Sequence, residues 1–284
     1  MAKSKFPKTL VTGADGMVGS YLDFGLKTDR KDLDVTDLAA VRAFVAREKP
    51  EVILHLAALT DLEFMEGHPE TAYQVNTVGA YNIALSAKEI GARLVFVSTA
   101  GVFDGMKKSS YNERDLPNPQ NVYGHSKYAA ELIIQSMLKN YLIVRTCWMF
   151  GGGPKRDKKF VAKIIAQLDK PEISAVNNSF GSPTFGKDLA GALKKLIATG
   201  KRGIVHCAGA GRASRFDVAK EIVNVLKPGL PVKPVSEKTF KLKARRVPNE
   251  ALASRPGLMR SWREALREYL EAEWKPVAVT ASTT

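Results

Sequence analysis

Val11-Thr-Gly-Ala-Asp-Gly-Met-Val-Gly19 follows a short run of strand formers, residues 8–12. Gly13, Gly16 and Gly19 give the spacing G-x-x-G-x-x-G between a predicted strand and a helix expected to start near Gly16 and run through Val18 and Leu22. A tight turn needs a left-handed backbone, a phosphate needs close main chain, and helix-to-strand packing needs a missing side chain. A helix start then turns free N–H groups towards a diphosphate. Three incidental glycines would give the same spacing, but the strand–turn–helix setting favours a dinucleotide.

The same alternation continues outward. Residues 24–28 read as a second strand, and Leu38, Val41, Phe44 and Val45 share one face of a helix that Pro50 stops. Residues 52–56, 94–97 and 141–144 are apolar runs of the kind found in parallel strands buried on both faces. Between them lie a predicted long helix over 71–90, a polar loop over 101–121 and a helix carrying Tyr123 and Lys127. The pattern implies an α/β fold of Rossmann type, a doubly wound parallel sheet with helices on both faces. After Phe150 it loosens into predicted helices over 157–168, 187–198, 214–226 and 260–274, one strand over 203–207 and a frayed tail over 275–284. We therefore expect a dinucleotide-binding domain over 1–150, with 183–208 returning to it. A smaller α/β substrate-binding part is expected over 151–182 and 209–284.

Composition narrows the partners. The 284 residues carry a formal net charge of +14, with local basic concentrations over 155–163 and 233–246. Neither has interleaved aromatics for stacking bases, so a solvated basic surface is preferred to nucleic-acid binding, and attraction of a diphosphate-bearing substrate is a third reading. No apolar run reaches the roughly 20 residues that span a bilayer, and the first eight residues precede no signal-type apolar stretch. Cys147 and Cys207 have no ligand spacing, nor do His55, His68, His125 and His206. A cytoplasmic protein without a catalytic metal is expected.

Tyr123 and Lys127 stand four residues apart, on one helix face. An ammonium near a phenol favours phenolate, so the expectation is a Tyr pKa drawn down from about 10 and able to pass a proton to or from a substrate oxygen. Thr99, after the strand at 94–97, is placed to donate to a carbonyl oxygen at the ligand crevice. Asp29, Asp32 and Asp34 lie where an acid would hold a ribose hydroxyl, while Arg30 would accept a 2′-phosphate, which leaves both NADPH and NADH open.

Together these segments resemble the extended short-chain dehydrogenase/reductase superfamily and, within it, the dTDP-4-dehydrorhamnose reductase family. The pieces are Thr12-Gly-x-x-Gly-x-x-Gly19, Leu33-Asp-Val-Thr-Asp37, His55-Leu-Ala-Ala58, Ser98-Thr99, Val102-Phe-Asp-Gly105, Tyr123-Gly-x-Ser-Lys127, Arg145-Thr-x-Trp148, Gly181-Ser-Pro-Thr184 and Asp188-Leu-Ala190. The resemblance implies NAD(P)H-dependent reduction of the 4-keto group of a nucleotide-linked 6-deoxysugar. Thr99, Tyr123 and Lys127 would be the catalytic set, with Tyr123 protonating the C4 oxygen and Lys127 also holding the nicotinamide ribose. Gly13, Asp15, Gly16, Met17, Val18, Gly19, Asp29 and Arg30 would bind the dinucleotide, Asp34 and Val35 its adenine end, and Ala57 and Ala58 its path. Thr60, Thr99, Trp148 and Arg246 would meet the substrate, a nucleotide-diphosphate sugar. Neither nucleic acid nor membrane is an expected partner, and a homodimer stays open. Two departures stand out: Ala100-Gly101 replaces the family's Asp-Tyr, and Asn178-Ser179 replaces its Asp-Gln. Small residues after Thr99 would let a sugar turn over, so a nucleotide-sugar 4-epimerase is the alternative. A non-catalytic regulatory subunit of the same fold is another.

Overall fold

Strands β1 (Thr9–Thr12), β2 (Leu26–Thr28), β3 (Val52–His55), β4 (Arg93–Thr99) and β5 (Tyr141–Thr146) are joined by a sixth, Gly203–His206. All pair in parallel, in the order Gly203–His206, β5, β4, β3, β1, β2. The computed structural model describes residues 6–253, 255 and 257–275; the first five residues and the expected tail beyond 275 lie outside that range.

Period-two alternation decides which side chain meets which helix layer. Leu10, Ile53, Leu94 and Ile143 enter one core with Val41 and Val45 of α1 (Leu38–Glu48), and with side chains of two later helices. Val11, Leu54, Val95 and Val144 enter the opposite core against Leu189, Leu193 and Ile197 of the helix Gly186–Ala198. Both faces are covered, so the strands can be apolar throughout. Asp37 caps α1 by accepting from Ala40 N at 3.0 Å, a contact worth about 1 kcal/mol.

Beyond β3 come α2 (Leu62–Gly67), α3 (Pro69–Tyr73), α4 (Gly79–Ile90) and α5 (Val122–Met137). The single helix expected over 71–90 is thus interrupted by a π turn at Gln74–Val78. The turn aims Asn76 at the chain after β3, where its side chain accepts from Leu59 N at 2.8 Å and donates to Leu59 O at 3.0 Å. A third bond runs from Asn76 Nδ2 to Ser126 Oγ of α5 at 3.1 Å. Inserted π turns of this sort recur where a helix must present one side chain to a site.

The helix expected from Gly16 does not form. Only a 3₁₀ turn, Gly19–Tyr21, stands between β1 and β2. The connection is too short to lay a helix along the sheet, since Leu22 is already extended and Gly25, at φ +84°, turns the chain into β2. The helix expected over 157–168 also shrinks, to Phe160–Ile165, because Asp157 turns inward and accepts from Tyr269 Oη at 3.0 Å.

The second lobe has its own core, built on stacked Phe150 and Phe185 with Tyr269 against both. Ile173–Val176 pairs in parallel with Val232–Val235 there, flanked by the helices Arg215–Leu226 and Trp262–Tyr269. No helix among the described residues is long and apolar enough to cross a membrane.

Candidate active site

The strand order reverses at β1, whose neighbours are β2 and β3, so a crevice opens between the loops that leave β1 and β3. Those loops touch backbone to backbone. Gly13 has φ +69°, and a Cβ on it would lie 2.6 Å from Ala57 N. Gly19 presses on the same turn, where a Cβ would lie 2.2 Å from Ala14 O. Gly16 closes the bend by donating to Gly13 O at 3.1 Å. Met17 and Val18 are half-buried behind it, and Ala57 and Ala58 are half-buried across from it. With no α-helix here, a diphosphate would meet the loop's own N–H groups rather than a helix dipole, which corrects the expectation from sequence.

Beside the bend is a recess of about 270 Å³ lined by Asp15, Lys27, Thr28, Asp29, Asp32 and Arg156. Asp29, at the end of β2, accepts from Lys31 N at 2.7 Å, and that bond holds its carboxyl below the usual carboxylate range. Arg30 is turned instead to Asp34, with 3.6 Å between them. Asp34 is occupied by Thr36, accepting from its N at 2.9 Å and its hydroxyl at 2.7 Å, and neither Arg30 nor Asp34 lines the recess. Val35 is buried beneath Gly79, and its carbonyl accepts from Asn82.

Thr99 ends β4, and its hydroxyl accepts from Gly101 N at 3.0 Å. Tyr123 stands in the first turn of α5, which Asn121 caps by accepting from Gly124 N at 2.9 Å. That turn is seated tightly: a Cβ on Gly124 would lie 2.2 Å from Gly101 O. Thr99 and Tyr123 thereby come within hydrogen-bonding reach of one another.

The expected acidification of Tyr123 by Lys127 is absent. Burial pushes the phenol up to about 12, against the pull of the Thr99 hydrogen bond, and the charges of Glu250 and Cys147 add to the rise. Lys127 is 2% exposed, and burial drags its ammonium down to about 7. Its Nζ lies 3.9 Å over the Phe96 ring. Glu131, one turn further on, is bound to Arg145 at 2.6 Å. Two groups removed from water each favour their neutral form, and that outweighs the attraction between their charged forms.

Ala100 and Gly101 are buried in the 3₁₀ turn behind Tyr123. Trp148 follows β5 with φ +39°, a left-handed backbone that a bulky side chain rarely adopts. Its indole donates to Glu250 Oε2 at 2.6 Å. Thr60 and Arg246 sit on the rim: Lys159 Nζ donates to Thr60 O and Oγ1, both at 2.9 Å, and Arg246 pairs with Glu63 of α2 at 2.8 Å.

Arg156 and Lys159, which the sequence reading did not single out, lie on the rim beside Thr60 and the glycine bend. Arg156 donates to Asp15 O at 3.0 Å, and with Lys159 it comes from the basic run read as a solvated surface. In the second basic run the Arg246 guanidinium donates to Glu63 at 2.8 Å, while Lys243 reaches the same carboxylate only through its backbone N, also at 2.8 Å. Charge density was visible in sequence; which cations face inward depends on the lobe packing. His55 is likewise structural, 1% exposed and sharing a 2.7 Å hydrogen bond with Thr12, with burial drawing it down to about 3.

The family described as the RmlD substrate binding domain matches residues 7–274. The spore coat polysaccharide biosynthesis protein SpsK of Bacillus subtilis is 33% identical over 277 residues, covering 93% of this chain and 97% of that one. A dTDP-4-dehydrorhamnose reductase of Mycobacterium tuberculosis is 34% identical over 285 residues, covering 93% of each. The crystal structure of dTDP-4-dehydrorhamnose reductase from Bacillus anthracis in complex with NADP is 33% identical, with a TM-score of 0.88, covering 94% of this chain and 100% of that one.

Proposed function

The chain belongs to the RmlD substrate-binding-domain family, among the dTDP-4-dehydrorhamnose reductases, and on that premise we propose that it reduces the 4-keto group of a nucleotide-linked 6-deoxysugar with NADPH or NADH. It is an NAD(P)-dependent oxidoreductase of the extended short-chain type. The observation that carries the reading is the meeting of Thr99 and Tyr123 at the carboxyl edge of β4, beside the Gly13–Ala57 contact.

The residues present fit a dinucleotide. Gly13 and Gly19 leave main chain bare for a diphosphate, and Asp29 offers a carboxylate at the end of β2 for a ribose. When bound, the reduced nicotinamide supplies the hydride. Thr99 donates to the substrate's C4 oxygen and polarises it. Tyr123 gives its proton to that oxygen as negative charge develops there. A phenol held at about 12 is fully protonated at working pH, which is the form a reductase needs. Lys127 borders the ribose position, and its charge would be restored by polar partners that offset its burial. The lobe made from 151–182 and 209 onward receives the sugar nucleotide, with Trp148, Thr60 and Arg246 at its rim. On this reading the protein works in the cytoplasm, binds no nucleic acid and needs no metal.

The test is oxidation of NADPH and NADH by the purified protein with dTDP-4-dehydrorhamnose and related 4-keto sugar nucleotides. Tyr123→Phe should lower kcat by about 10²–10⁴-fold, with little change in the KM for the cofactor. Equal rates for wild type and variant would remove Tyr123 from the mechanism.

A further inference from the structure

Arg215 is the first residue of the helix Arg215–Leu226, in the second lobe. Its guanidinium lies 3.5 Å over the Trp148 ring and 4.7 Å from the Phe160 ring. Gly181 also packs against Trp148, where a Cβ would fall 2.3 Å from the indole. The indole is thus held by contacts to Gly181 and Arg215 and tied at its edge to Glu250. Its left-handed backbone costs about 1–3 kcal/mol, a strain that persists only where the surroundings enforce it.

Trp148 is thus a platform for Arg215. The guanidinium itself is under-used. Among the described residues no carboxylate lies at ion-pair distance from it, and it donates no hydrogen bond there. Glu250, Cys147 and Arg246 surround it at electrostatic range, and burial lowers it to about 10. Glu250 and Cys147 also act on Tyr123, so Arg215 and the proton donor share these two neighbours, and Trp148, on which Arg215 stacks, is itself bound to Glu250. Arg246 brings a second cation near it. A half-buried planar cation with free donors, held flat by an aromatic ring, suits bidentate contact with phosphate oxygens.

We propose that Arg215, stacked on Trp148, is a substrate-binding residue that grips the diphosphate of the nucleotide sugar. The assignment rests on the reductase reading above. Gripping a remote, non-reacting group lowers KM without changing the chemical step, so its loss should appear in KM.

The experiment is calorimetric titration of the intact protein with dTDP, UDP and GDP, alongside steady-state kinetics. Arg215→Met keeps the stacking hydrocarbon and removes the charge. It should weaken dTDP binding by about tenfold or more, raise the KM for the sugar nucleotide by a similar factor, and leave kcat and the cofactor KM unchanged. Arg215→Lys, with the charge but not the plane, should recover only part of the affinity, and it decides the question should the Met variant fail to fold. Either folded variant binding dTDP as wild type does would overturn the role of Arg215 and leave the reductase reading intact. Wild type binding none of the three diphosphates would overturn both together.

Discussion

Lys127 is charged by design and buried by position, and these two facts pull against each other. With the ammonium over Phe96, Glu131 taken by Arg145 and neutral His55 within electrostatic reach, its charged form has little support in the ligand-free protein. The folded-state pKa, about 7, lies below the unfolded value of about 10.4. Between those values the unfolded chain binds more protons, so stability rises with pH. Below about 7 the lysine is charged in both states and the burial penalty is complete. Lys127→Met should therefore abolish turnover and yet stabilise the ligand-free fold, by about 1–4 kcal/mol. Thermal melts at pH 6 and pH 9 check this: the gain should be larger at pH 6, and an equal gain at both would mean that another group carries the penalty. The four-residue spacing made the Tyr123–Lys127 pair visible in sequence. The ring beneath the ammonium was not, because Phe96 comes from β4, remote in sequence from α5, and only the packing of that helix on the strand brings it there.

At the level of elements, the strands and most helices could be read from periodicity, since parallel strands covered on both sides carry a near-continuous apolar signal. The π turn at Gln74–Val78 left no such mark. A π turn adds one residue to a helical bend without disturbing composition, and its cause here is a set of side-chain hydrogen bonds from Asn76. The missing helix after Gly16 has the same kind of origin: the glycines fit a dinucleotide turn, while the distance to β2 decided what followed. Asn76 is 1% exposed and satisfies both main-chain groups of Leu59, which follows the Ala57–Ala58 wall of the crevice. Asn76→Ala would strand those groups at about 1–3 kcal/mol each. The expected result is a lower melting temperature and a several-fold higher KM for the dinucleotide, with kcat less affected. Asn76→Asp, which keeps the acceptor for Leu59 N and loses the donor for Leu59 O, should fall between. A variant with an unchanged cofactor KM would show that Asn76 steadies the helices alone.

Across the whole molecule, function depends on how the second lobe sits over the glycine bend, and no local pattern in the sequence encodes that. Arg156 reaches Asp15, Lys159 reaches Thr60 and Arg246 reaches Glu63, but these are rim contacts of low individual worth. A more protected bridge runs through Tyr21, in the 3₁₀ turn that replaces the expected helix. Its hydroxyl donates to Glu273 Oε1 at 2.6 Å and accepts from Gly152 N at 2.5 Å, while its ring packs edge-on against Phe185 of the second core. Burial and the Glu273 carboxylate both push the phenol well above its ordinary range, so it stays a donor at any working pH. Tyr21→Phe keeps the ring and removes both hydrogen bonds, leaving Gly152 N–H and one Glu273 oxygen unpaired. A loss of about 1–3 kcal/mol is expected, read as a lower thermal midpoint. Because Tyr21 directly follows the bend that would hold the diphosphate, the KM for NADPH or NADH should rise together with that loss. The affinity for dTDP, which the opposite side of the crevice would hold, should stay within about twofold of wild type, a difference well under 1 kcal/mol. A fall in dTDP affinity matching the fall in cofactor affinity would mean that the two lobes move as one body and that Tyr21 sets their overall closure rather than the shape of the bend.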